Sequence, residues 1–171
     1  ISGDVGFGKT EVAIRAMFKA FLSNKVSVLL CPTTILADQH FITCKERLAQ
    51  FGVSISLLSR FKTKKEQLKT LSMVKLGQVD ILIGTHRLLS KDVQISNLGL
   101  LVIDEEHRFG VNHKEKIRSF KNNVDVLTLT ATPIPRTLQQ ALVGLKSLTT
   151  IKTPPTSRKP INTFVKYFNW S

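Results

Sequence analysis

Short apolar runs that each end on a polar cluster constrain this chain more than any other feature. Val26–Cys31 is apolar at nearly every position and stops at Pro32-Thr33-Thr34. Ile81–Ile83 stops at Gly84-Thr85-His86, and Leu100–Ile103 stops at Asp104-Glu105-Glu106-His107. A further run through Val124, Val126 and Leu127 ends near Thr130-Ala131-Thr132. Continuous apolarity marks strands covered on both faces. The intervening segments carry helical periodicity. Strands alternating with helices predict an α/β fold with a largely parallel sheet flanked by helices. In such sheets ligands bind beyond the carboxyl ends of the strands, and that is where the polar clusters fall.

The helices are legible by spacing. Lys9 to Leu22 forms the first, with Val12, Ala13, Ala16 and Ala20 as its predicted buried face. Pro32-Thr33-Thr34 supplies an N-cap for a helix to about Gln50. Val53, Ile55 and Leu57 alternate, which predicts a half-buried strand. Thr63-Lys64-Lys65-Glu66 is a capping box opening a helix with Leu68, Leu71 and Val74 inward. A short basic helix is expected over Asn112 to Phe120, and another over Pro135 to Leu145.

Gly3-Asp4-Val5-Gly6-Phe7-Gly8-Lys9-Thr10 fits G-x-x-x-x-G-K-[ST], the loop that wraps the phosphates of a nucleoside triphosphate. Glycines let the backbone turn and aim its N–H groups at the anion. Lys9 is placed to reach the β/γ oxygens and the Thr10 hydroxyl to ligate Mg²⁺. The helix that starts here points its dipole at the same anion. Downstream, an apolar strand delivers Asp104 and Glu105 at its tip. In a triphosphate site the first carboxylate, Asp104, serves the metal, and the second, Glu105, serves as the base that activates water.

Charge points to the partner. Among 171 residues there are 25 Lys+Arg against 12 Asp+Glu, a formal net charge of +13, which suits a polyanion, nucleic acid first. Lys62, Lys64 and Lys65 read as a solvated helix face. His40 reads as a solvated helix residue, and Arg108 either contacts nucleic acid or pairs with a local carboxylate. The two cysteines, Cys31 and Cys44, lack zinc-ligand spacing and fit a reducing, cytoplasmic compartment. No apolar stretch approaches the ~20 residues of a membrane span, so no membrane partner is expected.

Together the motifs resemble the helicase superfamily 2 ATPases. Asp104-Glu105-Glu106-His107 is similar to their D-E-x-H box, and Thr130-Ala131-Thr132 to the motif that links ATP turnover to nucleic-acid contacts. Asp104 through Val111, Thr130 through Thr137, Pro32 through His40, and Gly84-Thr85-His86 extend the resemblance over nearly the whole chain. It implies a RecA-like P-loop lobe of a double-stranded DNA translocase, with ATP and Mg²⁺ as cofactors. It implies DNA-backbone contacts at Pro32, Thr33, Thr34, Gly84, Thr85 and His86. Thr33 is equally a plain N-cap, and His86 equally a surface histidine. His107 is implied to link the D-E-x-H box to the Thr130 turn, with a core histidine as the other reading.

Within the superfamily, Phe7 and Glu106 favour the translocases of transcription-coupled DNA repair over the branched-DNA helicases. The former displace stalled RNA polymerase and recruit excision-repair proteins through regions outside this stretch. The resemblance further implies that residues 1–152 form the first motor lobe, 153–160 a linker, and 161–171 the first strand of a second lobe. The strand entering Gly3 is reduced to Ile1-Ser2, which predicts unpaired ladder groups on its neighbours and a poorly stable, inactive isolated piece. A second lobe would bring an arginine finger, typically worth ~10³–10⁵ in rate. The rival outside this class is a catalytically inactive basic nucleic-acid-binding fragment, which rests on the +13 charge.

Overall fold

The structure is a computed structural model that describes residues 1–120, 124–131 and 147–156. Its central sheet contains β2 (Val26–Leu30), β3 (Ile55–Leu58), β4 (Ile81–Gly84), β5 (Leu98–Asp104) and β6 (Asp125–Leu129). The order is β3-β4-β2-β5-β6, and every neighbouring pair is parallel. Parallel neighbours require crossovers, and helices supply them. These are α1 (Lys9–Leu22), α2 (Thr34–Leu48), α3 (Lys64–Lys75) and α4 (Val111–Phe120). Thr132, the expected helix over Pro135 to Leu145 and the expected strand at 161–171 lie outside the described residues.

Two apolar layers sandwich the sheet because successive strand residues point to opposite faces. Leu29, Cys31, Ile81, Ile83 and Val102 pack on one side with Ala13 and Met17 of α1 and Ala37 and Cys44 of α2. Val28, Leu30, Leu82, Leu101 and Ile103 pack on the other with Val74 of α3 and Ile117 of α4. The continuous apolarity of β2, β4 and β5 is thus explained by burial on both faces. In β3 the expectation of one buried face fails: Leu57 joins the first layer and Leu58 the second.

Two helix faces also differ from expectation. On α1 the buried residues are Ala13, Ile14 and Met17, while Val12 is exposed. On α3 Leu68 is exposed and Val74 carries the packing. The capping box at Thr63 is formed: Thr63 Oγ1 accepts from the Glu66 N–H at 3.2 Å, and Glu66 Oε2 accepts from the Thr63 N–H at 2.8 Å.

A two-residue strand, β1 (Ser2–Gly3), pairs in parallel with β7 (Thr150–Ile151) and bridges from Ser2 to Thr130 beyond the end of β6. Over the short length of β1 the ladder groups are paired. Thr130 N–H donates to the Ile1 carbonyl at 3.0 Å, Gly3 N–H to the Thr130 carbonyl at 3.2 Å, and Ser2 N–H to the Thr149 carbonyl at 2.8 Å. On the β6 side this pairing lies at the carboxyl end, beside the loop that β1 feeds.

Candidate nucleotide site and DNA-facing edge

The phosphate-loop residues sit between β1 and α1. Gly6 (φ 77°) and Gly8 (φ 82°) take the left-handed backbone region that favours glycine. Gly8 is also the N-cap of α1, and no side chain caps that helix end. Among the described residues its first-turn N–H groups are therefore free of side-chain acceptors, as an anion cradle requires. Lys9 Nζ donates to the Gly3 carbonyl at 2.7 Å and to the Asp4 carbonyl at 2.9 Å, so the lysine folds over its own loop.

The carboxylates arrive from β5. Asp104 is its last residue and is buried. Glu105 follows with φ 51° and ψ 54°, a left-handed backbone uncommon for a residue with a side chain and costing of order 1–3 kcal/mol. Its N–H is tied to the Leu129 carbonyl at 3.0 Å, at the end of β6. Glu105 Oε1 accepts from the Ala131 N–H at 3.1 Å, and Glu105 Oε2 lies 3.2 Å from His107 Nδ1. The connection between the D-E-x-H residues and the Thr130-Ala131 segment therefore runs through Glu105, with the half-exposed His107 beside its other oxygen. Thr128 Oγ1 donates to Glu106 Oε2 at 3.4 Å, a second, weaker tie between the same segments.

A cleft of about 300 Å³ gathers these parts: Gly6, Lys9 and Thr10 on one wall, Asp104 and Glu105 on the floor, and Ala131 beside them. The remaining wall is α2, through Leu36, Gln39, His40 and Thr43. Sequence reasoning did not place α2 at the site. Its signal is present, since 36, 39, 40 and 43 fall at i, i+3, i+4 and i+7 and define one helical face. His40 departs most from expectation. It is buried, and its Nε2 lies 2.9 Å from Asp104 Oδ2. A histidine that reads as solvated in sequence is enclosed because α2 packs its Ala37 and Cys44 into the core beside it.

The donor set fits a hard divalent cation. Asp104 and Thr10 line one cleft, and Asp104 Oδ1 and the Thr10 hydroxyl have no hydrogen-bond partner among the described residues. Oxygen ligands of this kind, few in number and beside a phosphate cradle, suit Mg²⁺. Cysteine contributes nothing to it: Cys31 and Cys44 are buried free thiols, and burial pushes the Cys44 thiol up to about 12 and raises that of Cys31 further.

The proposed DNA-contact residues occupy the other half of the same edge. Pro32-Thr33-Thr34 follows β2, and Gly84 ends β4 with Thr85-His86 after it; the two segments are joined where the Cys31 N–H donates to the Gly84 carbonyl at 2.8 Å. Thr33 does cap α2, its Oγ1 accepting from the Leu36 N–H at 3.2 Å. Thr33 and His86 are exposed, whereas Gly84 and Thr85 are buried. The Thr85 hydroxyl has no hydrogen-bond partner among the described residues. His86 stacks on His113 of α4 with ring centroids 5.5 Å apart, and burial, then His113 and Arg60, lowers its pKa. Arg108 is exposed and makes no ion pair among the described residues.

A parallel sheet with a phosphate loop and paired carboxylates at its carboxyl edge defines a RecA-like α/β fold of the P-loop type. The chain matches the DEAD/DEAH box helicase family over residues 1–141 and belongs to that family. It is 60% identical over 169 residues to the transcription-repair-coupling factor of Bacillus subtilis, covering 99% of this chain and 14% of that protein. Identity to the transcription-repair-coupling factor of Staphylococcus aureus is 57% over 171 residues, covering 100% of this chain and 15% of the relative. A structure of RecG bound to a three-way DNA junction superposes with a TM-score of 0.78 at 38% identity, over 94% of this chain and 21% of that one. The higher identity to the coupling factors is the order that Phe7 and Glu106 indicate. The chain thus spans about one seventh of the length of these curated relatives.

Proposed function

We propose that this chain is the ATP-binding motor lobe of a double-stranded DNA translocase that displaces stalled RNA polymerase in transcription-coupled repair. The observation that carries the proposal is the single cleft that brings Lys9 and Thr10 together with Asp104 and Glu105. Residues 1–152 are read as the first lobe, with the linker and second lobe following. Gly3 through Thr10 hold the triphosphate, and Lys9 exchanges its loop carbonyls for phosphate oxygens. Thr10 and Asp104 would hold Mg²⁺, which neutralises charge on the transferred phosphoryl group. Glu105 orients and activates the attacking water, its other oxygen fixed by Ala131. Because Ala131 lies in the segment that follows β6, any change at Glu105 is felt there, and so the Thr130-Ala131-Thr132 motif couples turnover to DNA. Pro32 through Thr34 and His86 grip the phosphate backbone without reading sequence. The similarity to coupling factors supports a bacterial cytoplasmic setting with RNA polymerase and excision-repair proteins as partners of the whole protein.

The likeness to RecG favours one second reading, a motor acting on branched DNA. Full-length protein assayed with linear duplex, with three-way junctions and with a stalled polymerase separates the two. The translocase reading expects ATP turnover stimulated by plain duplex and release of polymerase. Turnover that responds to junctions alone overturns it. Lys9→Ala is expected to reduce duplex-stimulated turnover by at least about 10²-fold while leaving duplex binding in place. An inactive basic binding module predicts no turnover in either protein.

A further inference from the structure

Asp104 has two carboxylate oxygens in unlike situations. Oδ2 is held by His40 Nε2 at 2.9 Å, and Oδ1 has no partner among the described residues. Both side chains are almost enclosed, with relative exposures of 10% for His40 and 12% for Asp104. A buried donor on one oxygen fixes the plane of the carboxylate and presents the other oxygen in a constant direction.

The donor rides on an element with a second connection. α2 starts at Thr33, whose side chain caps it, in the cluster proposed to meet the DNA backbone. His40 lies two turns further on, ~10 Å along the axis. Ala37, Cys44 and Leu48 bury the same helix in the core. A close-packed helix moves as a body rather than bending locally. A shift at its capped end is therefore delivered to the imidazole and on to Asp104.

We propose that His40 is a positioning residue: through its hydrogen bond to Asp104 it makes α2 the mechanical link between the duplex-contact end at Thr33 and the Mg²⁺ carboxylate. This rests on the translocase reading above. His40 makes no contact with the reacting atoms in it; it acts through Asp104.

The test uses the full-length protein with His40→Leu, which fills similar space without a donor, and His40→Gln, which restores an N–H near Nε2. Two quantities are read. One is the Mg²⁺ concentration giving half-maximal binding of a fluorescent ATP analogue, with binding in EDTA as the reference. The other is the ratio of ATP turnover with and without linear duplex. His40→Leu is expected to raise the Mg²⁺ requirement about 10-fold or more, to change binding in EDTA by a much smaller factor and to lower the duplex stimulation ratio. His40→Gln is expected to recover most of both. An unchanged Mg²⁺ requirement or an unchanged duplex stimulation ratio in His40→Leu overturns the inference, and so does an equal loss of binding in EDTA, which makes His40 a packing or nucleotide-contact residue. Wild-type protein lacking any duplex stimulation overturns the translocase reading itself, an outcome distinct from either.

Discussion

At the scale of single residues, the chemistry is concentrated where the backbone is least free. Glu105 takes a left-handed conformation with its N–H bonded to the Leu129 carbonyl at the end of β6, and that conformation aims its carboxylate at Ala131. Gly84 shows the opposite constraint, a residue that must have no side chain. A Cβ placed there would lie 2.2 Å from the Leu58 carbonyl oxygen of the neighbouring strand. A backbone atom of a paired strand cannot step aside, so Gly84→Ala is expected to destabilise by at least about 1–3 kcal/mol. A thermal midpoint equal to that of the wild type would show that β3 and β4 can separate there. Lys9, Thr10, Asp104 and Glu105 were legible from sequence because their spacing is dictated by a phosphate's geometry. His40 was not, since nothing in a helix sequence says which polar residue faces a neighbour's carboxylate.

At the scale of elements, periodicity located the helices well but misjudged which way two of them turn. Val12 and Leu68 fit a helical stripe by spacing, yet both are exposed. The helix surface offers adjacent stripes a fraction of a turn apart, and the sheet selects between them by packing. The two helices on the first face also meet through charge. Glu11 of α1 binds Arg47 of α2 at 2.6 Å and Arg15 of its own helix at 3.1 Å. Arg47 first, and Arg15 second, hold the Glu11 carboxyl below its ordinary value of 4.5. A carboxyl lowered in the folded state favours folding above that ordinary value, and the contribution is lost as pH falls through the folded value. The group is partly exposed and screened, so Glu11→Gln is expected to cost less than about 1 kcal/mol at neutral pH. Urea melts should show that difference shrinking in high salt and vanishing in acid. A difference that persists in acid would place the effect in packing instead of charge.

At the scale of the molecule, the sheet order divides one edge into two regions. β5, β6 and β1 bring the phosphate loop, the carboxylates and Ala131 to one cleft, and β2 and β4 bring Thr33 and His86 to the adjoining surface. Between them, α2 belongs to both. The same closure encloses both thiols. Cys44, pushed up to about 12, and Cys31, raised further, are expected to resist a thiol reagent at pH 8 until denaturant opens the fold, then to react together. Rapid labelling of either in the native protein would mean that the α1 and α2 layer opens locally.

The sequence by itself determined the alternation of strands and helices, the crossovers that alternation requires, and the phosphate loop with its two carboxylates. Each of these is set by local sterics or by a ligand's fixed geometry, so near neighbours in the chain suffice to encode it. Tertiary structure alone decided which face of α1 and α3 is buried, that Leu58 is covered, and that His40 meets Asp104 across 64 positions of chain. Those outcomes depend on which strand lies beside which, and strand order arises from packing the whole sheet against both helix layers.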